Sequence, residues 1–126
     1  MHKIIIITGL LISSFSLHAL DDEYVLQKEI INVSHLNPTP LIMKKSILRV
    51  LIQNNWIIKE HTKNTILAEY KRNFINILFK DQTVILSEVE TEYEFDERWM
   101  NSLKRHFIKD VSFYHHMTKA KQQLKL

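Results

Sequence analysis

The chain has 126 residues, of which 45% are hydrophobic and 25% are charged, as expected for one globular domain. It contains no cysteine, which excludes disulfides, thiolate metal sites, cysteine nucleophiles and a lipid-modified cysteine. A single glycine excludes a glycine-rich phosphate-binding loop and leaves the turns to Asn, Asp, Lys and Thr. No cofactor is predicted.

Residues 1–19 have the pattern of a secretory signal peptide. A short basic start, MHK, precedes an apolar run from Ile4 to Leu17, and the acidic run DDE follows. An apolar run of this length suits a signal peptide, whereas a membrane span needs about 20 residues. We expect cleavage near Ala19 and a periplasmic or secreted mature protein, with an uncleaved N-terminal anchor as the alternative. Because an exported protein meets little nucleic acid, none is predicted as a partner, despite a net charge of +3.

The next segment, residues 20–38, is predicted as an N-terminal arm that is either extended or a short strand. A single α+β domain then covers residues 39–117. Thr39 followed by Pro40 fits a helix N-cap and first helical position. The helix from there to Asn54–Asn55 carries one apolar stripe, formed by Met43, Ile47, Val50 and Leu51.

A second helix is predicted to open at Asp96, with Glu97 in its first turn. It carries an apolar stripe formed by Trp99, Leu103, Phe107, Tyr114 and Met117, with Val111 beside it. Residues 118–126, TKAKQQLKL, are predicted to be a frayed basic tail.

Between the helices lie four β-type runs, at residues 56–61, 65–71, 74–80 and 84–95. Short polar connections predict an antiparallel meander, and a turn at residues 72–73 would pair Tyr70 with Ile75. A loop at residues 81–83 would place Ile77 near Ser87. One face then collects Trp56, Ile58, Ile66, Ala68, Tyr70, Ile75, Ile77, Phe79, Ile85 and Val89. The predicted fold is a four-stranded antiparallel meander flanked by an N-terminal and a C-terminal helix on one face, in the order α-β-β-β-β-α.

Three segments carry a resemblance: ILRVLIQNNW, where a helix runs into a Trp; TILAEY with INILFKD; and RWMNSLKRHF. In these the chain resembles a family of small exported bacterial proteins, many of them lipoproteins, without an assigned function. The resemblance covers residues 32–111 and implies the fold and export. It supplies no catalytic residue. The chain departs from the family in lacking its lipidated cysteine, in having Asn55 where many members have a glycine, and in its acidic stretch after the fourth strand.

That acidic stretch, SEVETEYEFDE, alternates with a period of two and places five carboxylates on one side of the predicted strand: Glu88, Glu90, Glu92, Glu94 and Asp96. Side chains on one strand face recur about every 7 Å, so neighbouring carboxylates cannot chelate one ion together. We expect a solvated face that protects an edge strand, and a basic partner is the alternative. No metal site is predicted.

The second face of the predicted sheet is apolar enough to be a candidate interface. It would be covered by the N-terminal arm, by a second copy in a homodimer, or by a protein partner. Its apolar members are Ile57, Leu67, Phe74, Leu78, Val84 and Leu86.

The leading interpretation is therefore an exported protein that acts by binding and is not an enzyme. A second hypothesis is a small hydrolytic or metal-dependent enzyme that uses His106 and Asp110, four residues apart on the last helix. A third is an envelope-associated protein held weakly at the membrane by its basic tail.

Overall fold

A computed structural model describes residues 24–126 as a five-stranded antiparallel sheet and two long helices. The strands are β1 (Lys28–Asn32), β2 (Ile57–His61), β3 (Thr65–Tyr70), β4 (Asn73–Lys80) and β5 (Thr83–Val89). The helices are α1 (Pro40–Gln53) and α2 (Glu97–Leu124), and a 3-10 turn covers Ser34–Leu36. The α+β class with an antiparallel sheet and two helices is thus confirmed. The predicted signal peptide lies outside the described residues.

The sheet has one strand more than predicted. Its order is β1-β5-β4-β3-β2, so the segment predicted as an N-terminal arm supplies an edge strand. In the pairing of β1 with β5, Ile31 lies opposite Val84 and Ile30 opposite Ile85. Ile31 is buried, whereas Ile30 points to the other face. The described part of the arm, from Tyr24 onward, therefore extends the sheet and does not cover its second face.

Both helices begin where their caps predict. The Thr39 hydroxyl accepts a hydrogen bond from the backbone N–H of Ile42, and the Asp96 carboxylate accepts one from the N–H of Arg98. These side-chain oxygens satisfy N–H groups that have no partner inside the helix. The prediction of a frayed tail is wrong, because α2 continues to Leu124.

The predicted strand register needs two corrections. The β3–β4 turn is Lys71–Arg72, so Ala68 pairs with Ile75; this shift of two residues leaves every side chain on its predicted face. The β4–β5 turn is a residue shorter than predicted, so Ile77 pairs with Leu86. A shift of one residue exchanges the two faces of β5.

The core lies between the two helices and one face of the sheet. Val84 and Leu86 belong to it and are fully buried, so their placement on the second face is wrong, and the placement of Ile85 and Val89 in the core is wrong as well. The strands contribute mainly Ile31, Ile66, Ala68, Ile75, Ile77, Val84 and Leu86, and the helices contribute Met43, Ile47, Val50, Leu51, Met100, Leu103, Phe107 and Val111.

Candidate interface on the outer face of the sheet

The outer face is the side of the sheet opposite the two helices. Because side chains alternate along each strand, the pairing aligns outward-pointing residues in rows across the sheet. The first row is Ile30, Ile85, Leu78 and Thr65; the middle row is Lys28, Ser87, Asn76 and Leu67; and the third row is Val89, Phe74, Glu69 and Ile57.

The first and third rows are mainly apolar, with Thr65 in the first and Glu69 in the third as the exceptions, and they reach solvent. Ile57 is 61% exposed, Ile30 is 59% exposed and Val89 is 37% exposed. The apolar residues of the inner strands, such as Phe74 and Leu78, are half-buried by their neighbours in the sheet. Both helices bury their apolar stripes against the opposite face, so among the described residues neither helix covers these rows. Large exposed side chains that form continuous rows are typical of an interface.

Four of the six predicted interface residues lie on the outer face: Ile57, Leu67, Phe74 and Leu78. The other two, Val84 and Leu86, point into the core, and the apolar residues that β5 places on the outer face are Ile85 and Val89. Ile30 was missed because β1 was not assigned to the sheet. The alternation in KEIINV, where Ile31 and Val33 are buried and Ile30 is exposed, is a strand signal that could have identified it.

Charges of both signs stand on and beside this face. The Lys59 ammonium lies 3.5 Å from a Glu69 carboxylate oxygen, and both side chains remain partly exposed. A bulge between Ile58 and Glu60 interrupts the pairing of β2, which is one edge of the sheet. Charges and bulges discourage a further strand from adding to an edge, so the β2 edge is protected against strand addition.

The predicted row of carboxylates does not form a single surface. Glu88 is buried on the inner side of β5, where it accepts hydrogen bonds from the Tyr24 hydroxyl at 2.6 Å and from the Gln27 N–H at 3.0 Å. Burial, together with the hydrogen bond to Glu88, raises the pKa of Tyr24. The expectation that Glu88 is solvated is therefore wrong.

The remaining acids follow β5 in an irregular segment. Glu90, Glu92 and Glu94 are exposed there, because the strand ends at Val89 and does not continue to residue 95 as predicted. Asp96 caps α2, and its hydrogen bonds with Arg98 lower the pKa of its carboxyl to about 2.

His106 and Asp110 are each hydrogen-bonded to the first helix or its end: Asp110 to α1, and His106 to Asn54, the C-cap of α1. The Asp110 carboxylate accepts hydrogen bonds from the Ser46 hydroxyl at 2.5 Å and from the Arg49 guanidinium at 2.7 Å. Burial raises the pKa of Asp110, but the hydrogen bonds from Arg49 and Ser46 outweigh it and leave the pKa below its usual value. The His106 Nδ1 lies 3.2 Å from Nδ2 of Asn54. Both side chains therefore hold the two helices together.

A shallow cavity of about 320 Å³ opens between the start of α1 and the second half of α2. Pro38, Thr39 and Ile42 line it on one side and Tyr114 and His115 on the other. It lies in the helical layer and so is separate from the outer face of the sheet.

Within residues 24–126, no three His, Asp, Glu or Cys side chains are grouped so that they could bind a metal ion. None of the helices in this part of the chain combines the length and the apolar character that crossing a membrane requires. Comparisons with protein-family models, with curated proteins and with solved structures found no match for this chain, so the fold and the site are interpreted from its own residues.

Proposed function

We propose that the protein is exported and acts by binding through the outer face of its sheet, with a second copy of the same chain as the occupant. The observation that carries the proposal is the pair of exposed apolar rows, which run through Ile30 and Leu78 on one side and Phe74 and Ile57 on the other.

The order of the rows suits a symmetric pair. The two apolar rows flank a more polar row that contains Lys28, Ser87 and Asn76. A two-fold axis lying in the interface along this middle row sets the first row of one copy against the third row of its partner. Ile85 and Leu78 of one copy then meet Val89 and Phe74 of the partner on both sides of the axis, as an isologous interface requires, and Thr65 meets Glu69. Two sheets can pack in this way at a separation of about 10 Å.

The size of the face indicates a weak dimer. Four inter-strand spacings of about 4.8 Å separate β1 from β2, giving a face about 19 Å wide, and the outer rows stand about 14 Å apart. These dimensions outline about 270 Å² on each copy, so the pair buries less than the roughly 1,200–2,000 Å² in total that stable specific interfaces bury. We therefore expect a dissociation constant in the micromolar range and an equilibrium that depends on concentration.

Export rests on the signal pattern of residues 1–19, on the run Ile4 to Leu17 and on the resemblance to exported proteins. The hydrolytic alternative is supported less well, since Asp110 already has partners on α1 and His106 has one at its C-cap, Asn54.

The test is size-exclusion chromatography with light scattering on protein recovered from the periplasm, with intact mass to locate the cleavage. We expect a dimer that dissociates on dilution and becomes monomeric with Ile57→Lys or Leu78→Lys. The matched control is Leu41→Lys, because Leu41 is 62% exposed but lies on α1 in the helical layer. A monomer at every concentration, or an equal loss in the control, would refute self-association. A chain of full mass in the cytoplasm would refute export.

A further inference from the structure

The second half of α2 extends beyond the domain core. The helix has 28 residues, twice the length of α1, and spans about 42 Å. Its last fully buried side chain is Val111, and every residue from Thr118 onward is exposed. Most side chains of α2 beyond Val111 therefore do not pack in the core of the domain.

These side chains form an apolar stripe, which we call the C-terminal stripe: Phe113, Met117, Ala120 and Leu124. Steps of four, three and four residues keep one face of an α-helix in line. Phe113 is 65% exposed and Leu124 is 68% exposed. The stripe lies about 120° around the helix from the core-facing side chains, so packing against the sheet leaves it open.

The charge around the stripe has one sign. No Asp or Glu follows Asp110 in the sequence, whereas Lys119, Lys121 and Lys125 lie in the last turns. Lys109 flanks the stripe on one side and Lys121 on the other. The carboxylate of Asp110 is already paired with the guanidinium of Arg49 at 2.7 Å. A surface that meets the stripe therefore encounters cations on both sides and no free carboxylate of α2.

We propose that the C-terminal stripe binds an anionic lipid surface, with the second half of α2 lying in the plane of the headgroups. A helix with an apolar stripe and flanking lysines has this behaviour: its apolar side chains enter the headgroup boundary while the lysines contact anionic headgroups. The inference concerns a different surface from the proposed sheet interface and does not depend on it.

A second copy of the helix is a poorer occupant. Two helices that pair through such a stripe need opposite charges at the flanking positions to attract each other. Here both flanks of both copies would carry lysine, as at Lys109 and Lys121, so pairing would bring like charges together. An anionic surface has the complementary charge, and the stripe is therefore assigned to lipid.

The test is co-sedimentation of the full mature protein with two kinds of vesicle, phosphatidylcholine alone and phosphatidylcholine mixed equally with phosphatidylglycerol. We expect pelleting with the anionic vesicles, little with the neutral ones, and loss of binding at high salt, which screens exposed charges. The double variant Phe113→Ser/Leu124→Ser should weaken binding by about tenfold or more, because both side chains lose apolar contact with the lipid. Lys119→Glu/Lys121→Glu should abolish the preference for anionic vesicles.

The matched control is Leu41→Ser/Lys45→Glu on α1, which removes an equally exposed leucine and a lysine from another helix. It should bind vesicles as the unaltered protein does, and so should the sheet-face variant Ile57→Lys. Equal binding to both vesicles, full binding by the double variant, or an equal loss in either control would overturn the proposal. If the double variant changes the molecular mass measured by light scattering but leaves vesicle binding unchanged, the stripe forms a contact between copies and does not bind lipid.

Discussion

The hydroxyl of Tyr24 donates a hydrogen bond to Oε1 of Glu88 over 2.6 Å. This bond connects the segment just before β1 to the C-terminal end of β5. The backbone strengthens the connection, since the N–H of Glu88 donates to the carbonyl of Gln27 at 2.8 Å. A carboxylate that alternation alone assigns to solvent is thereby used to dock the edge strand.

Replacing Glu88 by Ala should destabilise the protein by about 2 kcal/mol, because the partly buried N–H of Gln27 and the hydroxyl of Tyr24 each lose an acceptor. The free energy of unfolding from urea denaturation checks this. Glu90→Ala, in the same acidic stretch but exposed, should change it by less than about 0.5 kcal/mol. Equal effects of the two substitutions would contradict the docking role of Glu88.

The ion pair between Asp110 and Arg49 should make the contact between α1 and α2 sensitive to acid. The pKa of Asp110 is lower in the folded protein than the ordinary value of 3.8. Its stabilising contribution is therefore fully present above pH 3.8 and is lost as the pH falls through the folded-state pKa. At neutral pH, Asp110→Asn should lower the free energy of unfolding by about 1–2 kcal/mol.

The difference between this variant and the unaltered protein should shrink as the pH falls below 3.8 and vanish below the folded-state pKa, because the carboxyl is then neutral in the folded as well as the unfolded chain. Denaturation across the acid range measures the difference. Arg105→Gln, an exposed change on the same helix, serves as the control. Its free energy of unfolding should vary with pH in the same way as that of the unaltered protein. A pH-independent difference for Asp110→Asn would contradict the ion-pair explanation.

The β3–β4 turn stores backbone strain. Lys71 has φ of 50° and Arg72 has φ of 66°, in the left-handed region where a Cβ atom clashes with the backbone. Two-residue hairpin turns with both φ angles positive favour Asn-Gly. Lys71→Asn/Arg72→Gly should raise the free energy of unfolding by about 1 kcal/mol, although the Arg72 contact with Tyr93 at 3.4 Å is lost.

Thermal or urea denaturation of the turn variant and of the unaltered protein measures the difference in stability. The control is Lys63→Gly in the β2–β3 hairpin, where φ is not positive and glycine only adds disorder to the unfolded chain. We expect this control to be less stable than the unaltered protein. A turn variant no more stable than the unaltered protein would show that the left-handed conformation carries no cost here.

Asn73 holds the segment between β5 and α2 in place. Its side-chain amide donates to the carbonyl of Glu94 at 2.7 Å, and its side-chain oxygen accepts from the Thr91 hydroxyl at 3.1 Å. The segment ends at Phe95, whose ring centroid lies 5.0 Å from that of Trp99. Asn73→Ala should destabilise the protein by about 2 kcal/mol, since it leaves the Glu94 carbonyl without this donor.

The same substitution should change the fluorescence of Trp99, measured in a Trp56→Phe background, because a released segment shifts Phe95 away from it. Asn76→Ala, on the exposed side of the same strand, is the control and should leave the emission unaltered. An unchanged Trp99 spectrum in Asn73→Ala would mean that Phe95 is held by packing alone.

Local chemistry in the sequence determined the helices and most of the strand positions. Thr39 and Asp96 fix where α1 and α2 begin, because a capping oxygen acts on N–H groups only two or three residues away. The stripe through Met43 and Ile47 followed from the helical period, and the inward faces of β3 and β4 from alternation. Of the candidate interface, Ile57, Leu67, Phe74 and Leu78 were found in this way.

Tertiary structure alone decided which side of β5 faces the core, because Val84 and Ile85 are equally apolar and a turn longer by one residue exchanges the faces. It decided that residues 28–32 pair with a strand more than fifty positions away, which no local pattern specifies. It also decided that Glu88 is buried, since its partners Tyr24 and Gln27 reach it only once that pairing forms. A sequence specifies periods and caps over a few residues, whereas pairing between distant strands depends on the packing of the whole chain.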